Sequence, residues 1–569
     1  MRPIHIFLLL SLVALFAGLY KIFEKAGEKG WKALIPGYNF YVWLKILKKP
    51  WWWLILILIP TVGVFMLPIL FVLTANCFGK RKFTDHVIAV VAYFIYMPML
   101  GFSKTLKFLG VPPDEKNRHW LKEWGEAGVF AVVAATLIRS FFFEAFVIPS
   151  SSMESTLLTG DYLFVSKMSY GAKIPAVPLT VPFTHNTLPF TETSPSYLDW
   201  IELPYMRLPG FGKVERGDIV VFNFPEGDTV FTGNRNASYY RFVRENGPDF
   251  RKNVIADEKI VVHPVDKEDN YVKRCVAVAG DKLEIRNQEL YINGNISQLP
   301  ENAQFSQQFF IEGAPIIQAP NESDKDFNIR FQSTIYQLNR QYEKQFEKVG
   351  VSDDFGFLAA TENGNIFAVP VHSRNIEAFR ALIGGSIDML DSAGRTGEDV
   401  FPQDTNYRWN RDNFGPLQIP KKGLTVPLTL KDLPLWRRVI QVYEGHDLKV
   451  NGSTILIDGK PATSYTFAQD YYFMMGDNRH NSLDSRYWGF VPETHIIGKP
   501  VFIWFSKGDF SGLRPERMFT FVGQNGPGKS YLLWFAIGIG GIWGFNYFRR
   551  KSKEKKAATV TTSADRNKK

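Results

Sequence analysis

A cluster of three serines directly follows an apolar segment of the chain. Residues 148–167 read IPSSSMESTLLTGDYLFVSK, and the apolar run GVFAVVAATLIRSFFFEAFV occupies residues 128–147. A serine hydroxyl is a weak nucleophile, and it attacks a carbonyl carbon only when a nearby base takes its proton. The cluster is therefore either an ordinary polar loop or a nucleophile held where a membrane span ends, and a base elsewhere would decide between them.

Two kinds of base serve serine nucleophiles, a histidine and a lysine. Four histidines are candidates by residue type: His372, His446, His480 and His495. No periodicity connects them with the serine cluster. A lysine has a pKa of about 10.4 in water, so it can act as a base only where burial disfavours its charged form. A catalytic lysine should therefore lie on an apolar strand.

Lys273 fits that requirement. It lies in NYVKRCVAVAGD, residues 270–281, among valines, alanines and a cysteine. Side chains alternate along a strand, so Lys273 and Arg274 should point to opposite faces, one toward the interior and one toward water. The competing interpretation is an edge-strand lysine that discourages aggregation.

The segment that holds both candidates is rich in short alternating runs. Residues 217–224 and 271–295 are examples, in which Val, Ile, Phe and Tyr dominate and Gly-Asp or Asn-Gly pairs separate the runs, as in β-hairpins. Residues 329–350 and 374–385 instead have helical spacing. We therefore predict a mainly β domain that carries a mixed α+β insertion.

Five stretches are apolar enough to cross a bilayer, which takes roughly 17–25 residues. They are residues 4–20, 51–76, 86–103, 127–147 and 531–548. The second contains Pro60 and Pro68, which favour a kink or a re-entrant path. The first could alternatively be a cleaved signal peptide, but no A-x-A site follows it and the lysines after it suit a retained cytoplasmic loop.

The net charge of +10 comes largely from basic residues beside these apolar stretches. Basic loops stay on the cytoplasmic side of a membrane, so residues 21–49, residues 104–122 and the tail after residue 548 should lie inside. Residues 148–530 then lie outside. Basic residues 80–82 do not fit, which leaves the topology of the first three stretches open. The same placement of charge argues against nucleic-acid binding.

Several cofactor motifs are missing from the sequence. The only cysteines are Cys77 and Cys275, which we expect to be free thiols, and no C-x-x-C or H-E-x-x-H motif indicates zinc. GQNGPGKS, residues 523–530, fits the P-loop pattern, but an apolar span follows it and Pro527 removes a backbone N–H that would hold phosphate. We therefore predict no metal, no cofactor and no nucleotide.

Four stretches resemble, in order, the motifs of a known enzyme family. They are IPSSSMESTLLTGDYLFVSKMSYG around the serines, RGDIVVFNFPEGD (216–228), YVKRCVAVAGDKLEI (271–285) and GDNRHNSLDSRYWGFVPETHIIGKP (476–500). On these motifs the chain resembles bacterial type I signal peptidase (leader peptidase, family S26), a membrane-bound Ser/Lys endopeptidase. The resemblance covers neither the first three apolar stretches nor the insertion.

The resemblance implies which residues react. The family nucleophile directly precedes a methionine, which here is Ser152 before Met153. The general base corresponds to Lys273. Ser150 corresponds to a hydroxyl that, with the backbone amide at the nucleophile, holds the oxyanion.

The resemblance also implies supporting residues. Ser482 corresponds to a hydroxyl that hydrogen-bonds the lysine, and Asp484 and Arg486 correspond to an ion pair near the site. Two positions depart from the commonest pattern, because Ser151 stands where glycine is frequent and Ser155 where proline is frequent. We expect these two changes to alter the local turn without touching a reacting group.

A substrate class follows from the resemblance as well. Signal peptides of secretory preproteins end in small residues in an A-x-A-like pattern. By motif position, Phe146, Ile148, Leu157 and Val272 would wall the pockets that accept those residues. Plain core packing is the competing interpretation of each.

The sequence predicts this layout: a membrane region with about three transmembrane helices over 1–126, a transmembrane helix over 127–147, a catalytic domain in two parts over 148–300 and 441–515, an insertion over 301–440, a linker over 516–530, a last transmembrane helix over 531–548 and a basic cytoplasmic tail over 549–569. Such a protein would be a multi-pass protein of the cytoplasmic membrane, with the bilayer as a partner and its catalytic domain on the outer, periplasmic side. The extra spans and the insertion could scaffold a further partner such as the secretion channel.

Two other functions remain open at this stage. A self-cleaving Ser/Lys repressor shares the chemistry, but such proteins are soluble and carry a DNA-binding module, and no helix-turn-helix stands out here. A membrane-anchored β module could instead keep the serine and the lysine for structural reasons only.

Overall fold

A computed structural model describes residues 3–113, 120–191, 194–231, 239–246, 260–320, 322–349, 356–383, 400–508 and 512–566. The chain forms two compact units, each assembled from three separate stretches. Unit 1 comprises Met1–Glu144, Lys167–Gly212 and Glu226–Asp269, and unit 2 comprises Ala145–Ser166, Lys213–Pro225 and Asn270–Lys569. Residues 114–119 of the basic segment predicted to face the cytoplasm lie outside the described residues.

The α-helices of the described chain are α1 Pro3–Lys25, α2 Tyr38–Ile46, α3 Trp53–Leu58, α4 Pro60–Cys77, α5 Phe83–Val91, α6 Tyr93–Phe102, α7 Trp120–Phe141, α8 Tyr239–Asn246, α9 Asp324–Lys348, α10 Ile376–Leu382, α11 Leu433–Arg438, α12 Ser485–Trp488 and α13 Leu532–Arg566.

The described β-strands are β1 Phe143–Val147, β2 Asp161–Ser166, β3 Ile219–Asn223, β4 Thr229–Phe231, β5 Ile260–Val262, β6 Asn270–Ala277, β7 Lys282–Arg286, β8 Glu289–Ile292, β9 Asn295–Ile296, β10 Gln304–Glu312, β11 Gly356–Thr361, β12 Gly364–His372, β13 Phe414–Gln418, β14 Thr425–Pro427, β15 Leu448–Asn451, β16 Thr454–Ile457, β17 Lys460–Pro461, β18 Ser464–Thr466, β19 Tyr471–Met475, β20 Val491–Pro492, β21 Ile496–Gly508, β22 Gly512–Leu513, β23 Thr520–Gly523 and β24 Gly526–Pro527.

Apolar helices dominate unit 1. Within the described residues, α1 and α4 are long and apolar enough to cross a membrane, and α5 with α6 makes a third span only if the pair counts as one. That pair bends by 112°, so it is a broken span or a re-entrant loop rather than a straight crossing. The predicted break in the second stretch is confirmed, because α4 starts at Pro60 and the preceding Ile59 is extended, as residues before proline prefer to be.

Two predicted spans differ from the helices observed. The helix predicted over 127–147 ends at Phe141, and its last residues form β1, since aromatic and β-branched side chains favour a strand. The apolar part of α7, Ala127–Phe141, is shorter than a full span. The last predicted span belongs to α13, which continues without a break into the basic tail and is not among the described helices apolar enough to cross a membrane.

Close contact between α1 and α6 depends on small residues. A Cβ atom at Gly18 would lie 2.6 Å from the backbone nitrogen of Pro98, and one at Gly101 would lie 2.6 Å from the carbonyl oxygen of Gly18. Around this contact Leu19, Ile22 and other apolar side chains form a buried cluster. The two helices therefore pack backbone against backbone, as membrane helices with small residues do.

A ten-stranded antiparallel sheet forms the centre of unit 2. Its main path runs β1-β2-β21-β3-β6-β19-β20, with β22, β23 and β24 attached through β21. Strand β6 lies between β3 and β19, and Val220 of β3 is the register partner of Lys273. The interpretation of Lys273 as an edge-strand lysine is therefore wrong.

The α+β insertion is a small layer of its own within unit 2. Strands β10, β12 and β11 pair in that order, and Phe309 and Phe367 from this sheet pack with Phe346 of α9 and Phe379 of α10. The helices predicted over 329–350 and 374–385 correspond to α9 and α10. The fold class is thus confirmed: a mainly β catalytic unit with an α+β insertion and apolar helices near the N-terminus.

Candidate active site

The serine cluster and the apolar lysine strand meet in unit 2. Ser152 lies in a single 3-10 turn, Ser151–Met153, and Lys273 lies in the middle of β6. The Nζ atom of Lys273 and the Oγ atom of Ser152 form a hydrogen bond of 2.5 Å. Both side chains are buried, with Ser152 7% exposed and Lys273 3% exposed. This is the geometry required for proton transfer from a hydroxyl to an amine.

Burial also changes the acidity of the lysine. Removal of its ammonium group from water lowers the pKa of Lys273 to about 8, although the carboxylates of Asp484 and Asp477 act in the opposite direction. The fall of more than two units from the ordinary value makes a large neutral fraction available in mildly alkaline solution. The apolar niche expected for a lysine base is thus bordered by two acids.

Arg274 does not face water, contrary to the prediction from strand alternation. Its guanidinium is buried and forms an ion pair of 2.6 Å with Asp477, and it also donates to the carbonyl oxygens of Gly217 and Gln524. The prediction failed because the face of β6 opposite Lys273 is covered by later segments of the chain. A charge buried in this way needs such partners to be tolerated.

Asp477 connects strand β6, which holds Lys273, to residues 150–156, which we call the serine turn. Its carboxylate accepts from Arg274 on β6 and, at 2.6 Å, from the hydroxyl of Thr156, four residues after the nucleophile. The next residue, Asn478, donates its backbone N–H to the carbonyl oxygen of Ser152 at 3.1 Å. Residues 477–478 therefore hold the nucleophile in place from its backbone side.

The proposed oxyanion residue stands beside the nucleophile. The Oγ atoms of Ser150 and Ser152 are 3.4 Å apart, and Ser150 itself has an extended backbone and an exposed side chain. A hydroxyl in that position can donate to the oxyanion that forms on a carbonyl carbon attacked by Ser152 Oγ. Its neighbour Ser151 accepts at Oγ from the side-chain amide of Asn481 at 2.9 Å.

Asp484 and Arg486 form the expected ion pair, which is fully buried. The guanidinium donates to both carboxylate oxygens of Asp484, at 2.8 and 2.9 Å, and the backbone N–H of Gly476 donates to the same carboxylate. Burial opposes ionisation, but Arg486 and these hydrogen bonds hold the pKa of Asp484 below its ordinary value. Ser482 is buried nearby, and within the described residues its hydroxyl makes no hydrogen bond to Lys273.

Gly476 is a site residue that the sequence analysis missed. A Cβ atom there would lie 2.5 Å from the carbonyl oxygen of Ser152 and would overlap the Ser482 side chain. Only a residue without a side chain lets these two segments approach each other so closely. Gly476 is the first residue of the fourth matching motif. This position, directly before Asp477, was the only feature of the sequence that could have indicated its role.

The predicted pocket residues belong to one apolar cluster. Ile148 and Leu157 are buried in it together with Met153, and Phe146 and Val272 pack against it partly exposed. The cluster adjoins the serine turn through Met153. The two partly exposed side chains are the ones that can contact a bound peptide directly.

The insertion reaches the serine turn, which no sequence pattern indicated. The side-chain amide of Gln304 donates to Ser155 Oγ at 2.7 Å, and His372 Nε2 lies 3.4 Å from the same oxygen. The backbone of Gln304 also bonds to Asp477 O and Arg479 N. Ser155 has φ of 71°, a conformation closed to proline.

In the described part of the chain, no group of three His, Cys, Asp or Glu side chains could hold a metal ion. The P-loop-like stretch begins at the last residue of β23 and contains β24, which pairs with β23, and its Gln524 carbonyl accepts from Arg274. Cys77 and Cys275 are free and buried, as predicted.

Comparison with known proteins agrees with this geometry. Residues 121–334 and 459–505 match the family described as signal peptidase, peptidase S26, and residues 31–111 match a family of unknown function, DUF5684. The first match contains Ser152 and Lys273, and the second segment of that match contains the motif that begins at Gly476. The match to this family indicates a serine peptidase.

Curated relatives give the same result. Signal peptidase I of Buchnera aphidicola subsp. Acyrthosiphon pisum is 26% identical over 66% of this chain and 72% of its own length. The enzyme of Haemophilus influenzae is 25% identical over 70% and 74%, and that of Helicobacter pylori strain 26695 is 23% identical over 71% and 87%. The chain is thus similar to signal peptidases of family S26 over these residues, and the similarity indicates a serine peptidase, which is a hydrolase.

Proposed function

We propose that this protein is a membrane-bound endopeptidase that removes N-terminal signal peptides from exported preproteins. Ser152 is the nucleophile and Lys273 is the general base. The observation that carries the proposal is the 2.5 Å contact between a buried amine and a buried hydroxyl on segments 121 residues apart. The family relationship supplies the substrate class, secretory preproteins.

The chemistry proceeds in two half-reactions. Neutral Lys273 takes the proton of Ser152 as the Oγ atom attacks the scissile carbonyl carbon, which gives a tetrahedral oxyanion. The Ser150 hydroxyl and a backbone N–H at the nucleophile stabilise that oxyanion, each donor by roughly 3–4 kcal/mol. Lys273 then gives its proton to the leaving amine, which is the mature protein. Water, deprotonated by Lys273, hydrolyses the acyl-enzyme in the second half-reaction.

Specificity for small residues follows from the apolar cluster beside the serine turn. An extended peptide docks by adding a strand, and it presents alternate side chains to pockets. Phe146 and Val272 line these pockets at their partly exposed ends, while Ile148 and Leu157 close them from beneath. Shallow apolar pockets of this kind exclude large side chains, in agreement with cleavage after an A-x-A-like sequence.

The proposed location is the cytoplasmic membrane, crossed several times, with the catalytic domain on the outer, periplasmic side. The apolar helices supply the anchor, and the basic loops set the orientation. The insertion is kept at 301–440, whereas the helix before the catalytic domain ends at Phe141. Partners are the preprotein and the lipid bilayer, and the insertion and extra spans offer contacts to the secretion channel.

Cleavage of a preprotein by the detergent-solubilised chain tests the proposal. We expect Ser152→Ala and Lys273→Ala to abolish cleavage, and Lys273→Arg as well, because a guanidinium does not give up its proton at neutral pH. Lys449→Arg, on a lysine 70% exposed, is the matched control and should cleave like the unmodified chain. Equal cleavage by all variants would exclude the Ser/Lys mechanism.

A further inference from the structure

A long irregular hairpin in unit 1 has two very different faces. Its arms, residues 172–191 and 194–210, run antiparallel and are joined by backbone hydrogen bonds such as Ile174 N–H to Met206 O and Val181 N–H to Ser196 O. We refer to these two arms as the hairpin arms. They carry seven prolines and form only isolated bridges, so they are a surface feature rather than part of a sheet.

One face of the hairpin arms is anchored within unit 1. Tyr197 is buried and its hydroxyl is 3.0 Å from His263 Nδ1, while the ammonium of Lys267 lies 5.4 Å from the centre of the Tyr197 ring. His185 Nε2 lies 3.0 Å from the carbonyl oxygen of Glu268. These contacts fix which face of the arms points away from the unit.

The other face exposes apolar side chains in unusual number. The exposed members are Val181, Phe183, Phe190, Leu198, Trp200, Ile201, Tyr205, Met206 and Leu208. Phe190, near the tip, is fully exposed, and Phe183 is 60% exposed. Residues 174–206 contain no lysine or arginine. Exposed apolar side chains in this number on one short hairpin indicate an interaction site rather than a water-facing loop.

Two contacts connect this surface to the ends of apolar helices. His5 Nε2, in the first turn of α1, lies 3.1 Å from the carbonyl oxygen of Trp200. The backbone N–H of Lys167, just before the hairpin, donates at 2.9 Å to the carbonyl oxygen of Phe142, just after α7. The end of a membrane helix lies in the interfacial layer of the bilayer, so the contact with α1, which is long and apolar enough to span it, places the hairpin arms at that depth.

We infer that the hairpin arms insert their exposed apolar face into the interfacial layer of the lipid bilayer. Tryptophan and tyrosine favour that layer, because their rings have an apolar body and a polar edge, and Trp200 and Tyr205 are both present. Each apolar side chain that leaves water strengthens the association with lipid. The inference depends on membrane anchoring and not on the catalytic proposal.

Depth-dependent quenching tests this inference in the full chain. Cysteine is introduced at Phe183 or Phe190, labelled with an environment-sensitive fluorophore, and the protein is reconstituted in phosphatidylcholine–phosphatidylglycerol vesicles whose acyl chains carry bromine. Tyr336→Cys on α9, 64% exposed, is the exposure-matched control. The chain without an introduced cysteine measures background labelling of its two buried thiols.

We expect bromine to reduce the emission at both hairpin positions at least about twofold, as for interfacially inserted side chains, with little change at position 336. Equal emission with and without bromine at the hairpin positions would overturn the inference, as would equal quenching at all three positions. The inference would also be overturned if the hairpin labels became shielded from water only after a preprotein was added, because the surface would then bind protein rather than lipid.

A second measurement separates lipid contact from folding. The variant Phe183→Ser/Phe190→Ser should cleave a soluble signal peptide with unchanged kcat/KM but cleave a vesicle-embedded preprotein with a higher KM. The Ser152→Ala chain should cleave neither the soluble peptide nor the embedded preprotein, but its hairpin labels should still be quenched by bromine. That result would show that lipid insertion does not depend on the catalytic proposal. An unchanged KM for the embedded preprotein would contradict the inference.

Discussion

At the residue scale, the proposed chemistry depends on a lysine whose charge is disfavoured by its surroundings but not eliminated by them. Lys273 has neighbours that act in both directions, since burial lowers its pKa and the carboxylates of Asp484 and Asp477 raise it. The two acids are themselves paired with Arg486 and Arg274, which reduces their pull on the amine. Weakening either of these ion pairs would therefore change the base as well as the fold.

The pH dependence of cleavage follows from this balance. The active form of Lys273 is the neutral amine, so kcat/KM should be low in acid and rise as the pH increases through about 8. Peptide cleavage measured from pH 5.5 to 9.5 would show this limb. A rate that is constant between pH 6 and 9 would contradict the assignment of Lys273 as the base.

Gly476→Ala should damage the site without adding or removing a polar group. The new Cβ would press on the Ser152 carbonyl oxygen and the Ser482 side chain, and overpacking costs roughly 1–3 kcal/mol. We expect kcat/KM for peptide cleavage to fall about tenfold or more. Gly523→Ala, where the nearest atom would be 3.7 Å from the Cβ, is the control and should keep its rate.

At the element scale, the serine turn is supported by segments that come much later in the chain. Asn478 bonds to its backbone, Asp477 links it to β6, and Gln304 at the start of β10 holds Ser155. The insertion thus contributes directly to the position of the turn, in addition to any contact with a partner. A single 3-10 turn of three residues, Ser151–Met153, needs such support from other segments.

Ser155→Pro tests whether the turn differs from the commonest family pattern. Proline fixes φ near −65°, whereas Ser155 has φ of 71°, so the substitution should disturb the turn. We expect this even though the resemblance implies that proline is frequent at this position of the family motif. Peptide cleavage should fall sharply for Ser155→Pro and much less for Ser155→Gly, which accepts positive φ. Full activity of the proline variant would show that the turn is not strained in this way.

Asp477→Ala should destabilise unit 2 strongly. It leaves the buried guanidinium of Arg274 without its anion, and breaking a buried ion pair from one side costs roughly 3–5 kcal/mol. The exposed pair Lys449–Asp447 provides the control, since Asp447→Ala should change stability by less than about 1 kcal/mol. Thermal unfolding midpoints in detergent compare the two, and equal midpoints would contradict the prediction.

At the scale of the whole molecule, the prediction is about sidedness. A membrane-impermeant thiol reagent should label Tyr336→Cys in intact cells, because the insertion is proposed to lie outside. Ser552→Cys, in the basic part of α13, should be labelled only after permeabilisation. Labelling of both cysteines in intact cells, or of neither, would overturn the proposed orientation.

The sequence predicted the parts of the site that local pattern determines and missed those that depend on distant contacts. Ser152 and Lys273 each lie in a stretch whose residue types indicate their role, and α9 follows from helical spacing. Gln304 and Ser155, in contrast, are 149 residues apart, and neither stretch indicates the other. The burial of Arg274 was missed for the same reason, since its partners Asp477 and Gln524 come from later motifs.

The strand order of the central sheet has a consequence for synthesis of the chain. Early strands β2, β3 and β6 are interleaved with β21, which ends near residue 508, and Arg274 also takes a carbonyl from Gln524. Contacts of such long sequence separation form late and slowly. Nearly the entire polypeptide must therefore be synthesised before this sheet is complete, so we expect an incomplete chain to lack the proposed activity.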